Sequence, residues 1–175
     1  MPRAPDALLA PLGAGAWCAL DTETTGLGPY DQVVEVAVIS ASGRTLLDST
    51  ARPARPVSKK AAAVHGLGDA ELASAPTWST VWARLRPLLR DATLVAWNAS
   101  FDLRLLRQTC DRHGLPFQAP RFVCLREAFR RRHPLVRSSL AAACLTLGLP
   151  QRPLHRAHAD AELVRRLAWC LLDDG

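Results

Sequence analysis

The sequence predicts an α/β domain on a mixed five-stranded sheet, and three observations lead to that reading. Short β-branched or apolar runs recur at strand length along the 175 residues. The first three follow one another with only turn signals between them, whereas two more are each reached through a stretch with helical apolar spacing. Hairpin neighbours run antiparallel and crossover-connected strands run parallel, so the first three strands are antiparallel and the last two parallel to strand one.

Each element has its own signal. After an irregular lead-in over 1–15, residues 17–23 form an apolar strand that ends at the breaker Thr24-Thr25-Gly26. Residues 32–40 (QVVEVAVIS) form a central strand, and Ser42-Gly43 turns the chain into a third strand over 44–50. A proline-broken loop leads to a short helical turn over 59–64 that stops at His65-Gly66. Trp78, Val81, Trp82, Leu85, Leu88 and Leu89 mark one face of a helix over 76–90. Residues 93–97 form strand four, after which Ser100 is read as the cap of a helix that buries Leu103, Leu106 and Cys110. Strand five spans 121–125, Ser138 is read as the cap of a helix through 147, and a last helix covers about 157–172.

The bulk numbers bound the function classes. A chain that is 49% hydrophobic at this length supports one domain, 1–175, with a sizeable core. The net charge of +6 rests on arginine, since Lys59 and Lys60 are the only lysines, and guanidinium suits phosphate oxygens. Five arginines and His133 crowd 126–137, which reads first as a solvated helix face and only second as a nucleic-acid contact. The five cysteines are an odd number without a C-x-x-C pair, and they read as core residues of a cytoplasmic protein. No stretch is long enough to span a membrane, and the N-terminus is too interrupted for a signal peptide.

Four carboxylates stand out. Asp21 and Glu23 are two apart at a strand end, so they share a face; the pair is either solvated or held around a cation. Asp102 falls in a first helical turn beside the end of strand four, and Asp160 in the first turn of the last helix, five residues after His155. Oxygen-rich sets of this kind suit hard divalent cations such as Mg²⁺ and Mn²⁺, and no Cys/His cluster points to zinc.

The motifs D-T-E-T-T-G-L, N-x-x-F-D and H-x-x-x-x-D, in this order, resemble those of the DEDD 3′-to-5′ exonucleases in the branch with a catalytic histidine, which includes the proofreading epsilon subunit of bacterial DNA polymerase III. The resemblance runs from about 17 to 172 and includes Val64-His65-Gly66-Leu67. It implies a ribonuclease-H-like fold and a metal-dependent exonuclease that releases nucleoside 5′-monophosphates from single-stranded 3′ ends, of DNA before RNA. Two divalent cations, Mg²⁺ or Mn²⁺, are implied, roughly 4 Å apart as in other two-metal sites. Asp21 would bridge them, Glu23 and Asp160 would complete one site, Asp102 would hold the other, and His155 would take the proton of the attacking water.

Substrate contacts implied by the resemblance are Thr24 and Leu27 around the 3′-terminal nucleotide, Asn98 near the scissile phosphate, Phe101 against a base, and His65 along the groove. Core packing stands open for Leu27 and Phe101, and a helix-ending role for His65. Trp97 and Cys124 depart from the residues common at their positions, and His158 adds a second imidazole, a candidate phosphate or metal neighbour. The partners implied are nucleic-acid 3′ ends and replication or repair proteins. The chain ends at Gly175 without the long tail by which epsilon subunits bind the polymerase, which favours a free-standing nuclease or another mode of attachment. The competing readings are an RNA exonuclease of the oligoribonuclease or RNase T type and a non-catalytic nucleic-acid-binding adaptor.

Overall fold

A computed structural model describes residues 7–13, 15–150 and 155–173. The elements in chain order are α1 (Ala10–Gly13), β1 (Trp17–Thr24), β2 (Val33–Ser40), β3 (Thr45–Thr50), α2 (Lys59–His65), α3 (Asp69–Leu72), α4 (Trp78–Asp91), β4 (Thr93–Ala96), α5 (Ala99–Arg112), β5 (Phe122–Cys124), α6 (Leu125–Arg132), α7 (Leu140–Thr146) and α8 (Ala157–Asp173).

The five strands form one sheet in the order β3-β2-β1-β4-β5. β1 pairs antiparallel with β2 and β2 with β3, whereas β4 runs parallel to β1 and β5 parallel to β4. The mixed sheet expected from the sequence is therefore present, in its expected directions. β1 and β2 read as nearly unbroken apolar runs because helices cover both faces. Trp17 and Ala19 pack with Phe129, Leu163, Val164 and Leu167 on the side of α6 and α8. Cys18 and Leu20 pack with Trp78, Trp82, Leu85 and Leu106 on the side of α4 and α5.

That alternation fixes the direction of the acids. Asp21 and Glu23 continue the parity of Trp17 and Ala19, so they point to the α8 side. β4 pairs with β1 only as far as Ala19↔Val95 and ends at Ala96. The last half of β1 thus extends past its parallel neighbour, and α5 begins beside it.

Several local expectations shift. The lead-in is not wholly irregular: Leu9 and Leu12, in and beside α1, are buried and close the core against Trp17 and α8. Pro11 does not prevent this, since a first helical turn needs no amide from it. Residues 1–6 and 14 of that lead-in lie outside the described residues. Helix α5 starts before Ser100, with Asn98 at the cap position, because the chain leaves β4 directly into a turn closed by the Phe101 N–H to the Asn98 carbonyl at 2.8 Å. Asp102 stays in the first turn as expected. Ser139, not Ser138, caps α7, accepting from the Ala142 N–H at 3.2 Å, while the Ser138 hydroxyl accepts from Arg126.

All five cysteines are free thiols, four of them buried, and burial pushes Cys18 up to about 12. No described helix is long and apolar enough to cross a membrane.

Phe129 is fully buried in the α6–α8 core and stacks on His133 at 4.7 Å between ring centroids. Phe129→Ala is expected to cost about 3–5 kcal/mol of stability, measured by chemical denaturation, with no change in the denaturant slope.

Candidate active site

The sheet delivers Asp21 and Glu23 from β1, and two helix starts deliver the rest. Asp102 comes from the first turn of α5 and Asp160 from the first turn of α8. Both are nearly inaccessible, at 4% and 6% exposure. A helix N-terminus is the end at which a carboxylate is best tolerated, because free N–H groups and the helix dipole oppose its charge.

Burial makes all four acids harder to ionise, and neighbouring carboxylates add to this at Asp21, Glu23 and Asp160. Burial, then the charges of Asp102, Asp160, Glu23 and Glu35, push Asp21 well above the usual carboxylate range. Glu23 is pushed up to about 8, first by burial and then by Asp160, Glu35 and Asp102, with Arg156 opposing. Burial raises Asp102 to about 7, partly offset by the Thr22 hydroxyl, which donates to Asp102 Oδ1 at 2.8 Å. Asp160 is raised by burial and steadied by the His155 N–H, which donates to Oδ2 at 3.0 Å.

His155 completes the cluster. Atoms of Glu23, His155 and Asp160 able to ligate a metal all lie within 4.8 Å of one another. The imidazole is exposed, and the residue has a φ of 70°, a left-handed conformation that a side chain with a Cβ adopts only under constraint.

The constraint involves two residues that the sequence reading missed. Glu35 stands directly opposite Glu23 in the antiparallel register, buried to 3% exposure. Its carboxylate accepts from Arg156 Nη2 at 2.6 Å, from Arg156 Nε at 3.1 and 3.2 Å, and from the Ala157 N–H at 2.9 Å. The backbone just after His155 is therefore bolted to β2, while His155 itself is bolted to Asp160. The available signal was the acid inside an otherwise apolar β2 run, which a buried cation partner had to answer.

These donors fit hard divalent cations. They are mostly carboxylate oxygens, their mutual repulsion is relieved by positive charge, and Asp160 Oδ1 is buried without a partner among the described residues.

Beside the acids lies a groove of about 410 Å³ lined by Thr22, Glu23, Thr24, Gly26, Leu27, Ser58, Lys60, Ala61, Val64, His65 and Phe101. Four of the five expected substrate contacts line it; Asn98 does not. Leu27 is 69% exposed, so core packing is not its role. Phe101 is half-buried with the Arg104 guanidinium 5.3 Å from its ring centroid. His65 is buried and tied at both nitrogens: Nδ1 accepts from the Leu67 N–H at 3.1 Å, which leaves Nε2 to donate to the Thr24 carbonyl at 3.1 Å. It is a groove wall and also a staple that fixes α2 to the end of β1. Ser58, Lys60 and Ala61, on and beside the helical turn that the sequence predicts, form the other wall, a role for which they carried no signal.

Other expectations fall elsewhere. His158 turns to β3, where Nε2 meets the Thr45 hydroxyl at 3.0 Å. Trp97 packs on Phe129, and the Cys124 thiol donates to the Trp97 carbonyl.

Among proteins of known sequence, the chain is 36% identical over 96 residues to an uncharacterized exonuclease of Escherichia phage 186, covering 55% of this chain and 50% of the phage protein. It is 29% identical over 160 residues to the DNA polymerase III epsilon subunit of Pasteurella multocida, covering 83% and 63%. Among solved structures, exonuclease X in complex with 5′ overhanging duplex DNA superposes with a TM-score of 0.65 at 25% identity, covering 90% of this chain and 98% of that one. The chain thus spans about half to two thirds of these two sequence relatives.

Raised carboxylates give a signed pH dependence. Unfolded, Glu23 and Asp102 ionise in the usual acidic range; folded, they hold their protons to about 8 and about 7. Without divalent cations the folded state binds more protons at these groups, so their contribution to stability is fully present below about 4 and is lost as pH rises to about 8. Thermal melts in EDTA are expected to show this fall, Mg²⁺ to reverse it, and Asp21→Asn to raise the metal-free midpoint at the upper end by about 2–4 °C. Arg156→Ala strands a buried carboxylate and is expected to cost about 1–3 kcal/mol by denaturant unfolding, with partial recovery in Arg156→Lys.

The sequence profile of the exonuclease family RNase T matches residues 18–167, and with the fold and the acid cluster in place the chain belongs to that family.

Proposed function

We propose that the chain is a single exonuclease domain that removes nucleoside 5′-monophosphates from single-stranded 3′ ends, with DNA as the preferred substrate. The observation that carries this is the convergence of Asp21, Glu23, Asp102, Asp160 and His155 at the edge of a groove walled by Leu27, His65 and Phe101.

Asp21, Glu23, Asp102 and Asp160 would hold the divalent cations, Mg²⁺ or Mn²⁺. Two such ions, when bound, stabilise the charge that develops on the attacking and leaving oxygens of a displacement at phosphorus. The protein's own groups do the rest. His155 would accept the proton of the attacking water, a role supported by its exposure and by its closeness to Glu23 and Asp160. Neighbouring carboxylates stabilise the imidazolium that results. The Glu35–Arg156 pair and the Asp160 bond to the His155 N–H hold that ring's backbone in place.

In the groove, Phe101 offers a face for the terminal base and Leu27 an apolar edge beside it, while Thr24 offers backbone near the sugar. The His65 staple keeps Thr24 and the α2 wall at a fixed separation. Support for DNA comes from the relatives named for DNA polymerase III and from the DNA-bound neighbour. The same proposal includes a role in proofreading or repair, a cytoplasmic location, and replication or repair proteins as partners. A pure adaptor is disfavoured because clustered carboxylates repel phosphates unless cations sit among them.

The test is cleavage of a 5′-labelled single strand of DNA beside RNA of the same sequence, in EDTA, Mg²⁺ or Mn²⁺. A cation-dependent ladder that shortens from the 3′ end, faster on DNA, is expected. Asp21→Ala and His155→Ala are each expected to lower the rate by at least ~100-fold. Binding without cleavage would support the adaptor, and faster loss of the RNA would reassign the substrate.

A further inference from the structure

The loop from β1 to β2 is braced from within and without. The Asp31 carboxylate accepts from the Thr25 hydroxyl at 2.7 Å and the Gly28 N–H at 2.6 Å. Gly26 lies so close that a Cβ there would stand 2.7 Å from Asp31 Oδ2. From α5, Gln108 donates to the Gly28 and Asp31 carbonyls at 3.2 and 3.1 Å, and Arg104 to those of Leu27 and Gly28. A loop held this firmly cannot fold its apolar side chains inward.

Two of them stay in water. Leu27 is 69% exposed and Tyr30 71% exposed, three residues apart. The Arg55 guanidinium lies 5.8 Å from the Tyr30 ring centroid. Its segment is pinned to the base of the same loop, because the Gln32 side-chain oxygen accepts from the Ala54 N–H at 2.9 Å. Tyr30 is thus a presented aromatic face with a cation beside it, on the loop whose Leu27 already lines the groove.

We propose that Tyr30 and Arg55 form a second base-stacking site, which takes an unpaired nucleobase of the substrate strand upstream of the terminal nucleotide. This rests on the exonuclease reading above and adds a subsite to it. An aromatic face accepts any base, and a neighbouring guanidinium suits both the base and its phosphate, so the site adds affinity without sequence preference. Continuity with the groove and the net positive charge favour nucleic acid over an apolar peptide.

Tyr30 is the only tyrosine in the chain, so a 3-fluorotyrosine-labelled protein carries a single ¹⁹F resonance for this site. With Asp21→Asn to prevent cleavage, a short oligothymidylate is expected to shift that resonance and thymidine monophosphate to leave it in place. By fluorescence anisotropy, Tyr30→Ala is expected to weaken oligothymidylate binding by about 5- to 150-fold, the range spanned by base–aromatic stacking, while Tyr30→Phe retains it. Oligothymidylate that binds without moving the resonance, or binds Tyr30→Ala as tightly as the wild type, would overturn the subsite and leave the exonuclease reading standing. Failure of the wild type to bind the oligonucleotide at all would remove the nucleic-acid reading and the subsite with it.

Discussion

Mutual repulsion among carboxylates is the constraint on which the rest of this structure turns. Asp21, Glu23, Asp102 and Asp160, with Glu35 behind them, occupy one end of β1, and neighbouring carboxylates raise the cost of ionising Asp21, Glu23 and Asp160. Of these five, only Glu35 is joined to a protein cation among the described residues, Arg156, in a bidentate pair. The fold tolerates the other four by placing Asp102 and Asp160 in first helical turns and by leaving Asp21 and Glu23 partly accessible. It does not neutralise them. A core of this size can carry that deficit because both sheet faces are sealed by apolar helices, and bound cations would turn the deficit into affinity.

The groove depends on the same end of β1. Ser58 and His65 attach α2 to that strand end, the one through the Ser58 N–H to the Thr25 carbonyl at 3.0 Å and the other through Thr24. The loop that follows is wound around Asp31 and buttressed by α5. Acid cluster and groove are therefore parts of one rigid arrangement, and positions set by secondary structure and its staples hold reacting groups more closely than free loops do.

Much of this was legible in the sequence, for identifiable reasons. The strand directions followed from hairpin and crossover connections, which are local. Asp21 and Glu23 shared a face because strand periodicity is rigid, and Asp102 and Asp160 fell in first turns because the apolar stripes of α5 and α8 begin there. What was not legible depends on long-range pairing. Glu35 meets Arg156 only once β2 and α8 are packed, and His158 reaches Thr45 for the same reason. The cap positions slipped by a residue or more because neighbouring polar residues, Asn98 and Ser100 or Ser138 and Ser139, offer equivalent side chains; backbone geometry alone selects between them. Tyr30 carried no signal in sequence, since its meaning lies in being held out in solvent by a loop that cannot collapse.

The central claim is that the acid cluster exists to hold divalent cations. Binding of Mn²⁺ by the wild type and by Asp21→Asn, followed by electron paramagnetic resonance at neutral pH, tests it most directly. The account predicts saturable Mn²⁺ uptake by the wild type, lost or weakened at least ~10-fold in the variant, whose thermal midpoint without metal is no lower. Equal uptake by both proteins, or none by the wild type, would contradict it.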